Sequence, residues 1–246
     1  MAQLEICLSS DSDYLVQNIA KVCAAGADSI ELCSQMAEQG LSVPAAVLRQ
    51  ARQACRADTK LRVMIRSRAG DFVYSPAEKQ LMLQQINQAA ELGADGVVLG
   101  AVLPDNQLDQ HFMQTAAELC KRLTLDCTMH RAFDLCQNSA ATLDLLVMLG
   151  VKRVLSNGTP WLSGLPISAG MAELAALQRH NQQRLTLVAG GGVTADNLPF
   201  LRRQLADGPQ LCWHLYSAVL TGQQIDAQKL QTVRRLVKAV VASEHV

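Results

Sequence analysis

A closed, parallel (β/α)8 TIM barrel, formed as a single domain over residues 1–246, is the fold class this sequence predicts, and three observations predict it. The chain has 246 residues, and eight strand–helix units need about 250. Short β-type runs alternate with longer helical stretches, and no linker interrupts them. One join recurs in Ala24–Cys33 (AAGADSIELC), Glu91–Gly100 (ELGADGVVLG) and Leu149–Ser156 (LGVKRVLS). In each, a helix ends on glycine, which accepts the left-handed C′ conformation before a short link feeds a strand. The rival, an open doubly wound sheet, usually carries a glycine-rich turn after its first strand; here Leu8-Ser-Ser-Asp-Ser12 stands there.

In chain order, the strand candidates are Leu4–Leu8, Ser29–Cys33, Leu61–Arg66, Gly96–Gly100, Leu125–His130, Arg153–Asn157, Leu185–Gly190 and Leu211–Tyr216. They are β-rich runs bounded by turn residues. Between them, Pro44–Cys55 and Pro76–Leu92 carry apolar residues at helical spacing. Ser75-Pro76-Ala77-Glu78 reads as a capping box with proline at the first helical position.

Composition narrows the function classes. Hydrophobic residues are 49% and charged residues 18%, enough for a substantial core and unlike a disordered chain. Lys plus Arg and Asp plus Glu are both 22, and aromatics are 4%. A nucleic-acid partner needs a basic field and stacking platforms, so none is expected. The start Met1–Cys7 has no basic region and carries Glu5, unlike a secretory signal. No apolar stretch reaches the roughly 18 residues that span a bilayer, so no membrane partner is expected. The eight cysteines (7, 23, 33, 55, 120, 127, 136 and 212) include no C-x-x-C pair. That excludes a zinc ribbon or thioredoxin motif and points to reduced thiols in the cytoplasm.

Strand parity then sorts side chains, because successive residues face opposite sides. Leu4, Ile6 and Leu8 face the helices, which turns Glu5 and Cys7 inward. Ile30 and Leu32 pack outward, so Glu31 and Cys33 point in. By the same rule Arg62, Met64 and Arg66, then Asp126, Thr128 and His130, then Cys212, His214 and Tyr216 face the lumen. Ordinary barrel lumens are layered with Val, Ile and Leu. Glu5, Glu31, Arg66, His130 and His214 inside are costly unless they neutralise one another or hold a ligand. A self-satisfied network would set Glu5 and Glu31 against Arg66, with the histidines hydrogen-bonded. The C-terminal rim, where barrel enzymes keep their chemistry, is where these residues are expected.

Three loops add to that rim. Arg66-Ser-Arg68-Ala-Gly-Asp71 offers forked donors to a carboxylate or phosphate. His130-Arg131-Ala-Phe-Asp134 reads as an acid–base set, or as a histidine whose tautomer a carboxylate fixes. Gly190-Gly191-Gly192, opening a helix, would let the backbone approach an anion.

Together these residues resemble the CutC copper-homeostasis family. The resemblance runs through Leu4-Glu-Ile-Cys7, Ile30-Glu-Leu-Cys33, Ile65–Phe72 with Tyr74, His130–Asp134, Leu155-Ser-Asn-Gly158, Gly190–Val193, and His214 before Ser217-Ala218. It implies a (β/α)8 barrel and a cytoplasmic protein linked to copper handling. It also implies a homo-oligomer, a dimer or tetramer, with Cu(I) as the metal and Cys7 and Cys33 as its ligands. Soft thiolates suit Cu(I), and two can hold it in a line. The chain departs from the family at Ser67 and Ala69, where Pro and Gly are usual, at Asn157 in place of Ser, and at Leu215-Tyr216 in place of small residues.

Two functions follow as expectations. The first is a copper-binding homeostasis protein using Cys7 and Cys33. The second is a barrel enzyme acting on a small anionic molecule bearing phosphate or carboxylate. In it Glu5, Glu31, Arg66, His130, Asp134 and His214 would be the catalytic candidates, and Arg68, Arg131, Asn157 and Gly190–Gly192 would hold the anion. A Schiff-base aldolase is not expected, because Lys152, the lysine nearest a strand, starts the sixth strand at the opposite end.

Overall fold

In the computed structural model, which describes residues 1–239, eight parallel strands close on themselves. They are β1 (Gln3–Ser9), β2 (Ser29–Cys33), β3 (Lys60–Met64), β4 (Gly96–Leu99), β5 (Asp126–Met129), β6 (Arg153–Ser156), β7 (Thr186–Ala189) and β8 (Leu211–Leu215). The ring closes where β1 pairs with β8, with Glu5 opposite His214. Around it lie α1 (Leu15–Ala24), α2 (Ala45–Ala54), α3 (Pro76–Glu91), α4 (Gln110–Arg122), α5 (Ser139–Met148), α6 (Met171–Asn181), α7 (Leu198–Gln204) and α8 (Ala227–Lys238). A small antiparallel pair, β9 (Leu220–Thr221) and β10 (Gln224–Ile225), precedes α8.

The local signals act as their chemistry requires. Ser75 Oγ accepts from the Glu78 amide, and Glu78 Oε2 accepts from the Ser75 amide, so α3 starts at Pro76. Gly26, Gly93 and Gly150, at φ 71°, 80° and 80°, make the three recurring helix exits. Several strands end one or two residues earlier than their β-type composition predicts, at Met64, Leu99, Met129, Ser156, Ala189 and Leu215. Single ladder bonds continue beyond them, from the Ile65, His130 and Gly190 amides to Val98, Leu99 and Ser156. Arg66 and His130 therefore sit on the first residues of the rim loops.

Parity is visible in the packing. The outward residues Leu4, Ile6, Ile30, Val63, Met129 and Trp213 all join one large core between the barrel wall and the helices. Two small apolar clusters stand apart from it, Cys7–Cys33–Met64–Val98 and Leu155–Val188–Cys212. Every one of these seven alternates with an outward neighbour, so the two clusters fill the lumen.

Beneath them the lumen is ionic. Glu5, 1% exposed, accepts from Arg153 Nη2 and from Ser29 Oγ, each at 2.7 Å. Arg62 Nη1 lies 3.7 Å from the same carboxylate and also reaches Asp126 at 3.1 Å through Nη2. His214 Nδ1 stands 3.1 Å from the other Glu5 oxygen. Burial alone would raise the Glu5 carboxyl, but Arg153, the His214 hydrogen bond and Arg62 hold it far below the usual carboxylate range. The partner of Glu5 is thus Arg153 with Arg62, and not the Arg66 that the sequence pattern set against it.

Arg153→Ala strips Glu5 of its closest cation while leaving the carboxylate buried. It should cost about 3–5 kcal/mol, read as a lower urea midpoint at unchanged slope. A loss of less than about 1 kcal/mol, the range of a surface ion pair, would show that the floor is not held by this pair.

Candidate functional site

Above the ionic floor, at the C-terminal ends of the strands, opens a cavity of about 430 Å³. Of the inward-facing ionisable residues, Glu31, Arg66, His130 and His214 line it, while Arg62 and Asp126 do not. Cys7 and Cys33 line it as well, while Glu5 lies below, outside the lining. Met36, Met64, Phe72, Trp161 and Tyr216 supply the apolar wall, and Gly191–Thr194 supply backbone.

The inner wall carries the chemistry. Adjacent strands β1 and β2 put Cys7 Sγ and Cys33 Sγ 3.9 Å apart, both buried. Cys33 Sγ donates to Glu31 Oε1 at 3.2 Å. His214 Nδ1 lies 3.7 Å from Glu31 Oε2, an oxygen that no hydrogen-bond donor reaches. Cys7, Glu31 and His214 each offer one ligand atom, and these atoms lie within 4.8 Å of one another. A metal–thiolate bond is about 2.3 Å, so one ion can reach both sulfurs. An orphaned buried carboxylate oxygen beside two thiols therefore fits a cation.

Charge follows from these contacts. The Cys33 contact, opposed by burial and helped by His214, draws the Cys7 thiol below its usual value and favours thiolate. The same contact, added to burial, pushes the Cys33 thiol well up. Burial raises Glu31 despite His214. Burial would depress His214, but Glu31, Cys7 and Glu5 outweigh it and hold the ring protonated well above its usual range. His214 keeps Nδ1 toward Glu5, which fixes the ring and leaves its other nitrogen free of that bond.

The outer wall differs from its sequence expectation. His130 Nδ1 accepts from the Ala132 amide at 3.1 Å, so the neutral ring carries its proton on Nε2. Asp134 does not fix that tautomer. It is bound by Arg131 Nε at 2.7 Å, Ser156 Oγ at 2.5 Å and the Asn157 amide at 3.4 Å. Asn157 accepts from Arg131 Nη2 at 2.9 Å and positions it from outside the cavity. Arg68 turns away, to Asp71 and Glu78, each at 2.7 Å. Its guanidinium is satisfied by loop carbonyls and acids of its own segment, which the spacing of two arginines could not reveal.

Gly191 and Gly192 line the cavity with φ of 89° and 100°, but Gly190 does not. The turn does not open a helix as expected. Thr194 and Asn197 exchange amide-to-side-chain bonds first, and α7 begins only at Leu198. Ala69, where the family usually has Gly, does not take a left-handed angle; the neighbouring Gly70 does, at φ 87°. Tyr216 faces the thiol cluster, and Leu215 packs into the outer core.

Sequence reasoning missed Arg153, Met36 and Trp161. Trp161 comes from an irregular segment after β6, packs 5.2 Å from the Phe72 ring and carries Arg131 over its face at 4.9 Å. No periodic signal marks it.

The CutC family model matches residues 2–206. The family protein CutC of Bacteroides thetaiotaomicron is 36% identical over 196 residues, spanning 80% of this chain and 74% of its own length. A human protein named copper homeostasis protein cutC homolog is 36% identical over 197 residues, 79% of this chain and 67% of its own. Among solved structures, CutC of Streptococcus agalactiae matches at TM-score 0.76 and 28% identity, covering 87% of this chain and 98% of that one. A 3-hexulose-6-phosphate synthase matches at TM-score 0.66 and 15% identity, covering 96% and 99%. That last likeness shows the barrel fold alone.

The two cavity histidines should titrate in opposite directions. Burial, with Arg66 nearby, lowers His130 to about 3. Below its usual 6.5 the unfolded chain therefore takes a proton that the folded chain refuses, and the contribution of His130 to stability falls as pH drops from 6.5 toward 3. Imidazole 15N spectra should show His130 neutral and protonated on Nε2 from pH 8 to 5, with His214 doubly protonated at pH 7. A His130 midpoint near 6.5, or a neutral His214 at pH 7, contradicts this assignment.

Proposed function

The chain belongs to the CutC family, and from that premise we propose that it is a copper homeostasis protein that takes up Cu(I) at the barrel mouth through Cys7 and Cys33. The observation that carries the proposal is the pair of buried sulfurs 3.9 Å apart on neighbouring strands, facing a cavity open to the rim. Soft thiolates select Cu(I) over harder cations. The human relative named for copper homeostasis supports the same metal.

The neighbouring residues manage protons and charge. Metal binding requires both thiols deprotonated. Cys7 gives up its proton more readily than an ordinary thiol, through its Cys33 contact and against the cost of burial. The Cys33 proton has an acceptor 3.2 Å away in Glu31, whose raised affinity for protons suits that task. Two thiolates on a monovalent ion leave one negative charge, and the His214 imidazolium beside Cys7 offsets it. Glu5 positions His214 by its Nδ1 contact.

The enzyme reading is not favoured. Asp134 is tied to Arg131 and Ser156, and Arg68 is spent on Asp71 and Glu78. The proposal includes a cytoplasmic location, supported by eight free cysteines, and association as a dimer or tetramer, as the family resemblance implies. Among the described residues no helix is long and apolar enough to cross a membrane.

Anaerobic titration of the full chain with Cu(I) against a competing chelator tests the site. The Cys7→Ser/Cys33→Ser double variant should lose at least about a hundredfold in affinity, and His214→Ala about tenfold. Equal binding by the double variant and the parent would remove the thiol site.

A further inference from the structure

The lumen holds more sulfur than two thiols. Met64, 5% exposed on the inner face of β3, packs with Cys7, Cys33 and Val98 in a cluster separate from the main core. Met36, half-buried, packs against the same cluster from the loop between β2 and α2. Both line the cavity. The closeness of Met64 to Cys33 is visible at Gly40: a Cβ placed there would meet Cys33 Sγ at 3.3 Å and Met64 Cε at 3.7 Å.

The segment carrying Met36 is held in place at a cost. Met36–Glu38 form a single 3-10 turn flanked by Gln35 at φ 46° and Gln39 at φ 65°, both non-glycine residues in left-handed conformation. Such conformations persist only where the surroundings enforce them. The enforcement here comes from Arg66, 3% exposed, whose Nη1 donates to the Glu38 and Gly40 carbonyls at 2.7 and 3.2 Å. Its Nη2 ties the same loop to Gly70 at 2.8 Å, and Asp11 accepts from the Gln35 amide at 2.5 Å. No carboxylate pairs with Arg66 among the described residues, so this buried cation is spent on holding backbone. A methionine used only as core filler needs no such clamp, and one at a cavity mouth gives up part of its burial.

We propose that Met36 and Met64 are thioether ligands through which Cu(I) passes from the cavity mouth to Cys7 and Cys33. This rests on the copper reading given above. A thioether is soft, neutral and a weaker ligand than thiolate, so it captures Cu(I) without titrating and leaves the stronger bonds to the thiolates. As copper moves inward a Cu–S bond forms to each cysteine, the methionine sulfurs stay on the ion as weaker ligands, the Cys33 proton moves to Glu31, and copper stays Cu(I).

The test uses the full chain with selenomethionine in place of methionine, loaded anaerobically with one equivalent of Cu(I) and read at the copper X-ray absorption edge. A copper–selenium scattering path beside copper–sulfur is expected, and needs no variant to fold. In parallel, Met36→Leu and Met64→Leu, which conserve volume, should each weaken Cu(I) binding about tenfold in chelator competition. Cys7→Ser/Cys33→Ser should instead abolish tight binding. Thiol-dependent binding with no copper–selenium path and unchanged Met→Leu affinities overturns the thioether ligands and leaves the copper reading standing. A parent chain that binds no Cu(I) overturns both.

Discussion

The mouth of this barrel depends on how one carboxylate is satisfied beneath it. Glu5 is buried at the centre of the ring, and an isolated charge there would be prohibitive. Arg153 from β6, Arg62 from β3 and His214 from β8 converge on it across the lumen. Three strands that are distant in sequence are thereby fixed relative to β1. The His214 ring, held by Nδ1, is set beside Cys7 and Glu31, so the floor determines what the site above can do. With Glu5 firmly ionised, His214 keeps its positive charge, and that charge in turn favours the Cys7 thiolate.

Much of this was legible from parity alone. Alternation of Leu4, Ile6 and Leu8 with Glu5 and Cys7 is a local fact, and a strand has only two faces. The same rule placed Glu31, Cys33, Met64, His130 and His214, and all five line one cavity. What could not be read was which charges meet across the ring. Arg153 faces Glu5 only because the barrel closes with a particular stagger, and nothing in Arg153-Val-Leu-Ser156 encodes that distance. The rim loops were opaque for a related reason. Arg68 could donate outward or inward, and Glu78 on α3 decided the matter by standing where an outward fork could reach it. The glycine turn looked like a helix entrance, but Asn197 capped the Thr194 amide and delayed α7.

Arg66 illustrates how a residue's placement can be legible when its partners are not. Its position on the cavity wall follows from parity, and its positive charge reads naturally as an anion site. Three backbone carbonyls take up both terminal nitrogens instead, and the guanidinium stacks 4.9 Å over Phe72. The consequence is electrostatic as well as mechanical. A fixed positive charge near His130 helps keep that imidazole neutral, so the outer wall offers little proton chemistry, while Cys7, Glu31 and His214 on the inner wall retain all of it.

That division between walls bears on the copper-binding role proposed for this barrel. Barrels that bind phosphate place it near the loops after the last two strands, and here that region is Gly191–Thr194, an outer-wall segment whose Thr194 amide is already taken. On the side of β1 and β2, Glu31 Oε2 has no donor and two thiols adjoin it, while Arg66 Nε and His130 Nε2, which line the same cavity, have no acceptor. An anion seated on the glycine turn would leave that carboxylate oxygen unsatisfied. A cation, or the proton that one displaces from Cys33, satisfies it directly. The unmet demand at Glu31 Oε2 is thus for a donor or a cation, and sulfur from Cys33 and Cys7 stands beside it, which is the ground on which the proposed soft-metal site rests.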